Sequence, residues 1–249
     1  MKHLIRFQML TATSLSLSIL GSAPVIADTV FSDTTFNSAD YSLTPYTSSA
    51  SITMASSQNL LTGNPGPSNE VTFTIQANSG SQTAAMYFLN NNWVYDPGVQ
   101  GAIQSLSYSA DRMINGFIPS GFQHNVVSII EQGGSMYEYS PTPVTITSGV
   151  WFTDTANLLT ATNYDLITDP LHDVVNAAVH PNFSGGGALM FGYRARFNIN
   201  GSLASTSVTN FFTDNVNYDL APVPLPAAAW LLVSGVGALG ALARKKHTV

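Results

Sequence analysis

Two glutamates that flank a glycine pair are the first candidates for chemistry in this chain of 249 residues. Glu131 and Glu138 lie on either side of Gly133-Gly134, a sequence that predicts a β-hairpin with a two-residue turn. In that register Glu131 is opposite Met136, and Glu138 lies ~7–8 Å away on the same face. Carboxyl groups ~5–10 Å apart can hydrolyse a glycosidic bond. The alternative, which we favour, is that they are two solvated charges beside a hairpin turn.

Aromatic and basic residues on predicted strands are the next candidates. Trp93, Tyr95 and Trp151 could form a platform that stacks on the apolar faces of sugar rings, or they could fill a core, which we favour. Arg194 and Arg196 are two residues apart on one predicted strand and therefore share a face. They could bind an acidic glycan, but pairing with a nearby aspartate is the interpretation we prefer.

Composition excludes several classes of site. There is no cysteine, so no disulfide or thiolate metal site can form. Eight Lys and Arg against 14 Asp and Glu give a net charge of −6, which argues against nucleic-acid binding. His172 and His180 are ~12 Å apart along a predicted helix, too far to share one metal ion. His124 stands alone in a predicted loop.

The sequence pattern predicts that the segments that position these residues are short β-strands. Asn90–Asn92 predicts a second hairpin turn, and a helix is predicted from Asp169, its N-cap, to Pro181. We expect an all-β, two-sheet β-sandwich of the jelly-roll type with one short helix, over residues 28–221. The clearest segments with alternating or continuous apolar residues are Val71–Ile75, Ile103–Tyr108, Val126–Ile130, Ala188–Ile199 and Val208–Leu220.

Short motifs in this body resemble known sandwich families. The segments Trp93–Pro97 and Phe212–Tyr218 look like parts of laminin-G-like domains and of carbohydrate-binding jelly rolls. That resemblance implies a structural calcium ion joining the first strand to the last, with Asp33 and Asp214 as candidate ligands. The alternative for Asp214 is a strand-end aspartate that bonds its own backbone. No other cofactor is expected.

The N-terminal 27 residues have the features of a secretory signal peptide. Lys2 and Arg6 precede an apolar stretch, and small residues before Ala27 mark a cleavage site. The alternative is an amphipathic first helix.

The C-terminal segment, residues 222–249, has three parts. Val223-Pro224-Leu225-Pro226 precedes an uncharged stretch from Ala227 to Ala243, whose 17 residues reach ~25 Å as a helix, near the lower limit for a transmembrane helix. Arg244-Lys245-Lys246 follows directly, and the positive-inside rule keeps that cluster in the cytoplasm, with the body outside.

This order of motif, apolar stretch and basic cluster resembles the PEP-CTERM sorting signal. The resemblance implies recognition by exosortase, a membrane enzyme, and cleavage near the motif; a plain membrane anchor is the alternative. We therefore expect an exported protein, first anchored in the inner membrane of a Gram-negative envelope and then at the cell surface or in the extracellular matrix. The body is expected to be non-catalytic and associated with exopolysaccharide. A carbohydrate-binding module is the alternative function, and a glycan hydrolase is a weaker one.

Overall fold

A computed structural model describes residues 28–77, 80–116, 123–139, 147–170, 174–199 and 201–223. The signal peptide, Pro224–Pro226 of the sorting motif, the predicted transmembrane helix and the basic cluster lie outside these residues. Within them, no helix is long and apolar enough to cross a membrane. Residues Ile26–Val223 form one compact unit, which contains everything described below.

Most of this unit consists of strands in which apolar and polar residues alternate. The fold is the predicted all-β sandwich of two antiparallel sheets. Strand β13 is the longest, and β6 pairs along most of one side of it. The elements are β1 (Thr29–Asp33), β2 (Tyr41–Thr47), β3 (Ile52–Asn59), β4 (Ser68–Ile75), β5 (Gln82–Tyr95), α1 (Pro97–Gln100), β6 (Ile103–Gly116), β7 (Gln123–Gln132), β8 (Ser135–Glu138), β9 (Phe152–Leu159), β10 (Asp165–Asp169), β11 (Val174–Asn176), β12 (Leu189–Ile199) and β13 (Ser207–Pro222).

The two sheets have six and seven strands in the described residues. The six-stranded sheet has the order β3-β4-β13-β6-β9, and β1 also pairs with β13. The seven-stranded sheet has the order β11-β10-β8-β7-β12-β5-β2. On the side away from β6, β4 pairs with Ser207–Thr213 of β13, and β1 pairs with Val216–Leu220.

Alternation along the strands determines which side chains enter the core between the sheets. In β4, Val71, Phe73 and Ile75 are fully buried, whereas Thr72 and Thr74 between them are partly exposed. In β13 the alternation changes phase at Asn215, a bulge residue with φ 49°. The bulge lets the strand keep apolar residues inward on both sides of it.

Aromatic side chains fill much of the core and connect the two sheets. Tyr218 of the six-stranded sheet packs against Trp93 and Phe191 of the other, with ring centroids 5.9 Å and 5.1 Å apart. Its hydroxyl lies 2.7 Å from Ser128 Oγ and donates to the Gly192 carbonyl oxygen. Burial raises the pKa of Tyr218 well above its usual value, so this hydroxyl stays a donor.

The outer face of the seven-stranded sheet carries a second, smaller apolar cluster. Ala85 and Tyr87 of β5 and Val127 and Ile129 of β7 are all buried there. This sheet is therefore apolar on both faces.

The predicted helix from Asp169 to Pro181 is wrong. Asp169 ends β10, and Val174–Asn176 forms β11, which pairs antiparallel with β10. The β-branched valines of that segment favour a strand over a helix. The α-helix present in the described residues is the single turn of α1, where Asp96 is the N-cap and Pro97 is in the first turn.

Of the two predicted hairpin turns, one is confirmed and the other is wrong. Gly133-Gly134 joins β7 to β8 as predicted. Asn90–Asn92 instead lies within β5, in an irregular bulge where Asn90–Trp93 are opposite the single residue Phe191 of β12. Both flanks of the bulge pair with the same strand β12, so the chain does not reverse there.

Candidate functional site

The hairpin of β7 and β8 gives its two glutamates very different surroundings. Glu131 is opposite Met136, as predicted, and Glu138 is opposite Ile129. Glu131 is half-buried and accepts a hydrogen bond from the Gly134 N–H. Glu138 is 1% exposed, and its Oε2 contacts Nη1 of Arg194. The two carboxylates share the outer face of the sheet, but Glu131 is engaged in the turn and Glu138 in an ion pair.

Arg194 lies at the centre of the outer face of the seven-stranded sheet. Its neighbours across the sheet are Val127 on β7 and Tyr87 on β5. The guanidinium carbon is 5.8 Å from the centroid of the Tyr87 ring, and the side chain is completely buried. The predicted pairing of this arginine with an acid is found, but the acid is Glu138 and not an aspartate. A charge buried this deeply requires such a partner.

A cavity of about 230 Å³ lies beside the β7–β8 hairpin, which carries Glu138 of this ion pair. Tyr46 of edge strand β2 lines this cavity, and its ring meets the ring of Tyr87 edge-on at 5.2 Å. The lining combines the polar Ser135 with apolar residues such as Met136 and Leu166. The lining residues are Tyr46, Gly134, Ser135, Met136, Leu166, Ile167 and Pro170. An aromatic ring beside a small polar and apolar cavity is an arrangement that can hold one sugar ring.

The predicted aromatic platform does not form. Trp93 is only 5% exposed and stacks on Phe31 inside the core, with centroids 6.3 Å apart. Tyr95 is 1% exposed, and its hydroxyl donates to the Gly101 carbonyl oxygen at 2.9 Å. Trp151 is half-buried, immediately before β9. The alternative, that these aromatic rings fill the core, is correct for Trp93 and Tyr95.

The predicted calcium ligands lie on opposite faces of the six-stranded sheet. Asp33 is opposite Val216, a core residue, and therefore points inward. Its Oδ1 accepts hydrogen bonds from the N–H groups of Thr35 and Phe36 at 2.6 Å and 2.8 Å. Its Oδ2 accepts from the Tyr41 hydroxyl at 2.8 Å. The carboxylate is thus fully used in holding the turn after β1.

Asp214 points outward and lies directly opposite a second carboxylate, Asp111 on β6. Its oxygens accept hydrogen bonds from the N–H groups of Asn64 and of Asn215, the latter at 2.7 Å. Burial raises the pKa of Asp214; the two N–H donors lower it in part, and the charges of Asp111 and Asp33 raise it further. Within the described residues, no group of three or more His, Cys, Asp or Glu side chains is arranged to hold a metal ion.

The histidines do not form a common site in the described residues. His180 Nδ1 lies 2.8 Å from the Tyr164 carbonyl oxygen and 3.7 Å from Asp165 Oδ1. His172 and the side chain of His124 lie outside the described parts of the chain.

The sequence reasoning missed Tyr46, the aromatic residue at the cavity. The strand that carries it, β2, contains Pro45, and proline within an apolar run weakens a strand prediction. Thr44 and Tyr46 flanking that proline fit an edge strand, one of the few positions in a sheet where proline is tolerated. That combination is the signal by which β2 could have been found.

Comparison with known proteins gives matches to solved structures alone. No family model and no curated protein matches the chain. The glycoside hydrolase domain of Endo-D from Streptococcus pneumoniae R6 is similar at TM-score 0.38 and 8% identity, over 71% of this chain and 21% of that one. A protein of unknown function from Shewanella oneidensis MR-1 gives TM-score 0.41 and 10% identity, over 88% and 98% of the two chains. The C-terminal family 22 carbohydrate-binding module of Clostridium thermocellum Xyn10B gives TM-score 0.32 and 11% identity, over 72% and 90%.

Proposed function

We propose that this chain is an exported, non-catalytic β-sandwich protein of the bacterial surface or extracellular matrix, sorted through its C-terminal motif by exosortase. The observation that carries this proposal is the order of its parts along the sequence: signal peptide, sandwich, Val223-Pro224-Leu225-Pro226, uncharged stretch and basic cluster. The last described residue supports it. Val223 is 40% exposed, and its N–H donates to the Ala102 carbonyl oxygen at 2.7 Å. The motif thus begins where the last strand of the sandwich ends.

The state of the carboxylates supports a non-catalytic body. The glutamates with the best spacing for glycoside hydrolysis are engaged, Glu138 with Arg194 and Glu131 with its own turn. We expect the purified chain to release no reducing ends from the exopolysaccharide of its host. Hydrolysis that the Glu131→Gln substitution abolishes would contradict this part of the proposal.

The intact mass of the protein recovered from the native host tests the sorting proposal. We expect a mass that begins at Asp28 and ends between Val223 and Pro226, with or without an attached group. A mass that extends to Val249 would show that the tail is only an anchor and would overturn the sorting proposal.

Carbohydrate binding is the second candidate function, and one observation favours it. Tyr46 is half-buried and lines the cavity together with Ser135 and Met136. Aromatic rings at such positions stack on the apolar faces of sugars. We expect the host's own exopolysaccharide to bind, and Tyr46→Ala to weaken binding by at least about tenfold.

Calorimetric titration with neutral and acidic glycans is the measurement. Trp151→Ala is the matched control, because Trp151 is also half-buried but does not line the cavity. Absence of binding heat with every glycan would rule out this second function. An equal loss of affinity in the two variants would show that glycan binding does not depend on the cavity.

A further inference from the structure

The edge strands of the two sheets differ in how they are protected against pairing with another chain. A sheet edge exposes unpaired backbone N–H and carbonyl groups, and natural proteins block such edges with proline, charges, bulges or short strands. Edge strand β2 contains Pro45, and β11 is only three residues long. Strand β9 carries the inward-pointing Asp154 and has positive φ at Leu158.

Strand β3 has none of these protective features. Its sequence, Ile-Thr-Met-Ala-Ser-Ser-Gln-Asn, is eight residues long and contains no charge, proline or glycine. It pairs with β4 in an unbroken register from Ile52 to Asn59. Within the described residues, β3 has no strand on its other side. The Ile52 N–H donates to the Ser49 carbonyl oxygen at 3.2 Å, and the Gln58 side chain contacts the Thr35 carbonyl oxygen. Between these two positions, Thr53–Ser57 has no partner strand on the outer side among the described residues.

The charge and side-chain character of this edge fit a second copy of the same strand. Thr53, Ala55 and Ser57 are exposed and uncharged, so two copies would bring no like charges together. Along β3, the backbone groups of every second residue point to the open edge, and in an antiparallel pair they bond to the outward-pointing groups of the other strand. The two-fold axis must therefore lie level with one residue, not midway between two. An axis at Ala55 sets Ala55 against Ala55 of the second copy and Thr53 against Ser57 of the second copy. Threonine and serine form favourable cross-strand pairs.

We propose that β3 is a self-association edge, at which two copies of this chain pair antiparallel about Ala55. The two six-stranded sheets would then form one continuous sheet of twelve strands across a two-fold axis. This inference rests on the strand edge and is independent of the proposed function.

The length of the strand limits the strength of the association. An eight-residue strand is ~27 Å long, and one such strand pair buries less area than the ~1,200 Å² of a stable interface. We therefore expect a weak dimer whose population rises with protein concentration.

Sedimentation equilibrium of the full chain in mild detergent, from micromolar to millimolar concentration, tests the proposal. We expect the average mass to rise towards twice that of the monomer. Ala55→Lys places two like charges opposite each other and should weaken association by at least about tenfold. Thr44→Lys on β2 is the matched control, because it adds the same charge to an exposed position of another edge strand and should leave association unchanged.

Hydrogen exchange identifies the strand involved. Amides between Ile52 and Ser57 that exchange quickly in dilute protein should become protected at high concentration, with no such change in the Ala55→Lys protein. Circular dichroism of both variants confirms that each is folded. A monomer at every concentration, or association that Ala55→Lys leaves intact, would overturn the proposal.

Discussion

The outer faces of the two sheets are built from different chemistry. On the six-stranded sheet, the outward positions of β3 and β4 are Thr53, Ala55, Ser57, Thr72 and Thr74, all exposed or partly exposed. On the seven-stranded sheet, the outward positions around Arg194 are buried and mainly apolar. At the β3–β4 edge the six-stranded sheet therefore has a single apolar face, whereas the seven-stranded sheet has two. Nearer its centre, the outward Phe212 and Met113 of the six-stranded sheet are buried as well.

The difference follows from the period of apolar residues along each strand. In β4, apolar and polar residues alternate from Val71 to Ile75, which is typical of a sheet with one solvated face. In β7, Val126, Val127, Ile129 and Ile130 form a nearly continuous apolar run. Such a run is typical of a strand that is buried on both faces. The apolar run in β7 therefore already indicates that the outer face of the seven-stranded sheet is buried.

The buried charges also differ between the two outer faces. Glu138 and Arg194 on the seven-stranded sheet have opposite charge and contact each other. Asp111 and Asp214 on the six-stranded sheet have the same charge and lie directly opposite each other. The first pair stabilises its own burial, whereas the second is held by neutral donors such as Asn64 and Asn215.

The largest effect is expected from breaking the ion pair on the seven-stranded sheet. Glu138→Gln leaves the fully buried Arg194 without its carboxylate, and we expect the free energy of unfolding to fall by about 3–5 kcal/mol. Urea denaturation measures the change. Glu131→Gln on the same hairpin is the matched control, because Glu131 is only half-buried, and it should change stability by less than about 0.5 kcal/mol. Equal losses for the two substitutions would contradict the contrast drawn between these glutamates.

The sequence predicted the sandwich more completely than the site, for a physical reason. Strand patterns such as Val71–Ile75 and the Gly133-Gly134 turn are local, and the structure confirms them. The burial of Trp93 depends on Phe31 and Tyr218, which are distant in sequence, so spacing alone could not separate core from platform. The helix at Asp169 was wrongly predicted because Asp-Pro followed by apolar residues at helical spacing also fits a turn into an edge strand.

Exchanging valine and threonine between the two outer faces sharpens the comparison with nearly equal side-chain shapes. Val127→Thr places a hydroxyl at a fully buried position of the seven-stranded sheet, and we expect a loss of about 1–3 kcal/mol. Thr53→Val is the reverse exchange at an exposed position of the six-stranded sheet, where we expect a change below about 0.5 kcal/mol. Thermal or urea unfolding of both variants measures the difference. A small effect of Val127→Thr would show that the outer face of the seven-stranded sheet is accessible to water.

The smallest effect concerns the two aspartates of the six-stranded sheet, and it depends on pH. Because burial raises the pKa of Asp214 above its usual value of 3.8, the folded protein binds a proton there more tightly than the unfolded chain does. The contribution of Asp214 to stability therefore falls as pH rises from about 3.8 through the higher pKa of the folded state. Asp214→Asn cannot ionise and lacks this loss. We expect the unfolding free energy of Asp214→Asn, relative to the unsubstituted protein, to rise over that interval, as urea unfolding at a series of pH values would show. If the difference in unfolding free energy between the two proteins stays constant with pH, the Asp214 carboxylate is as stable in the folded state as in water. The hydrogen bonds from Asn64 and Asn215 would then offset both burial and the charge of Asp111 opposite.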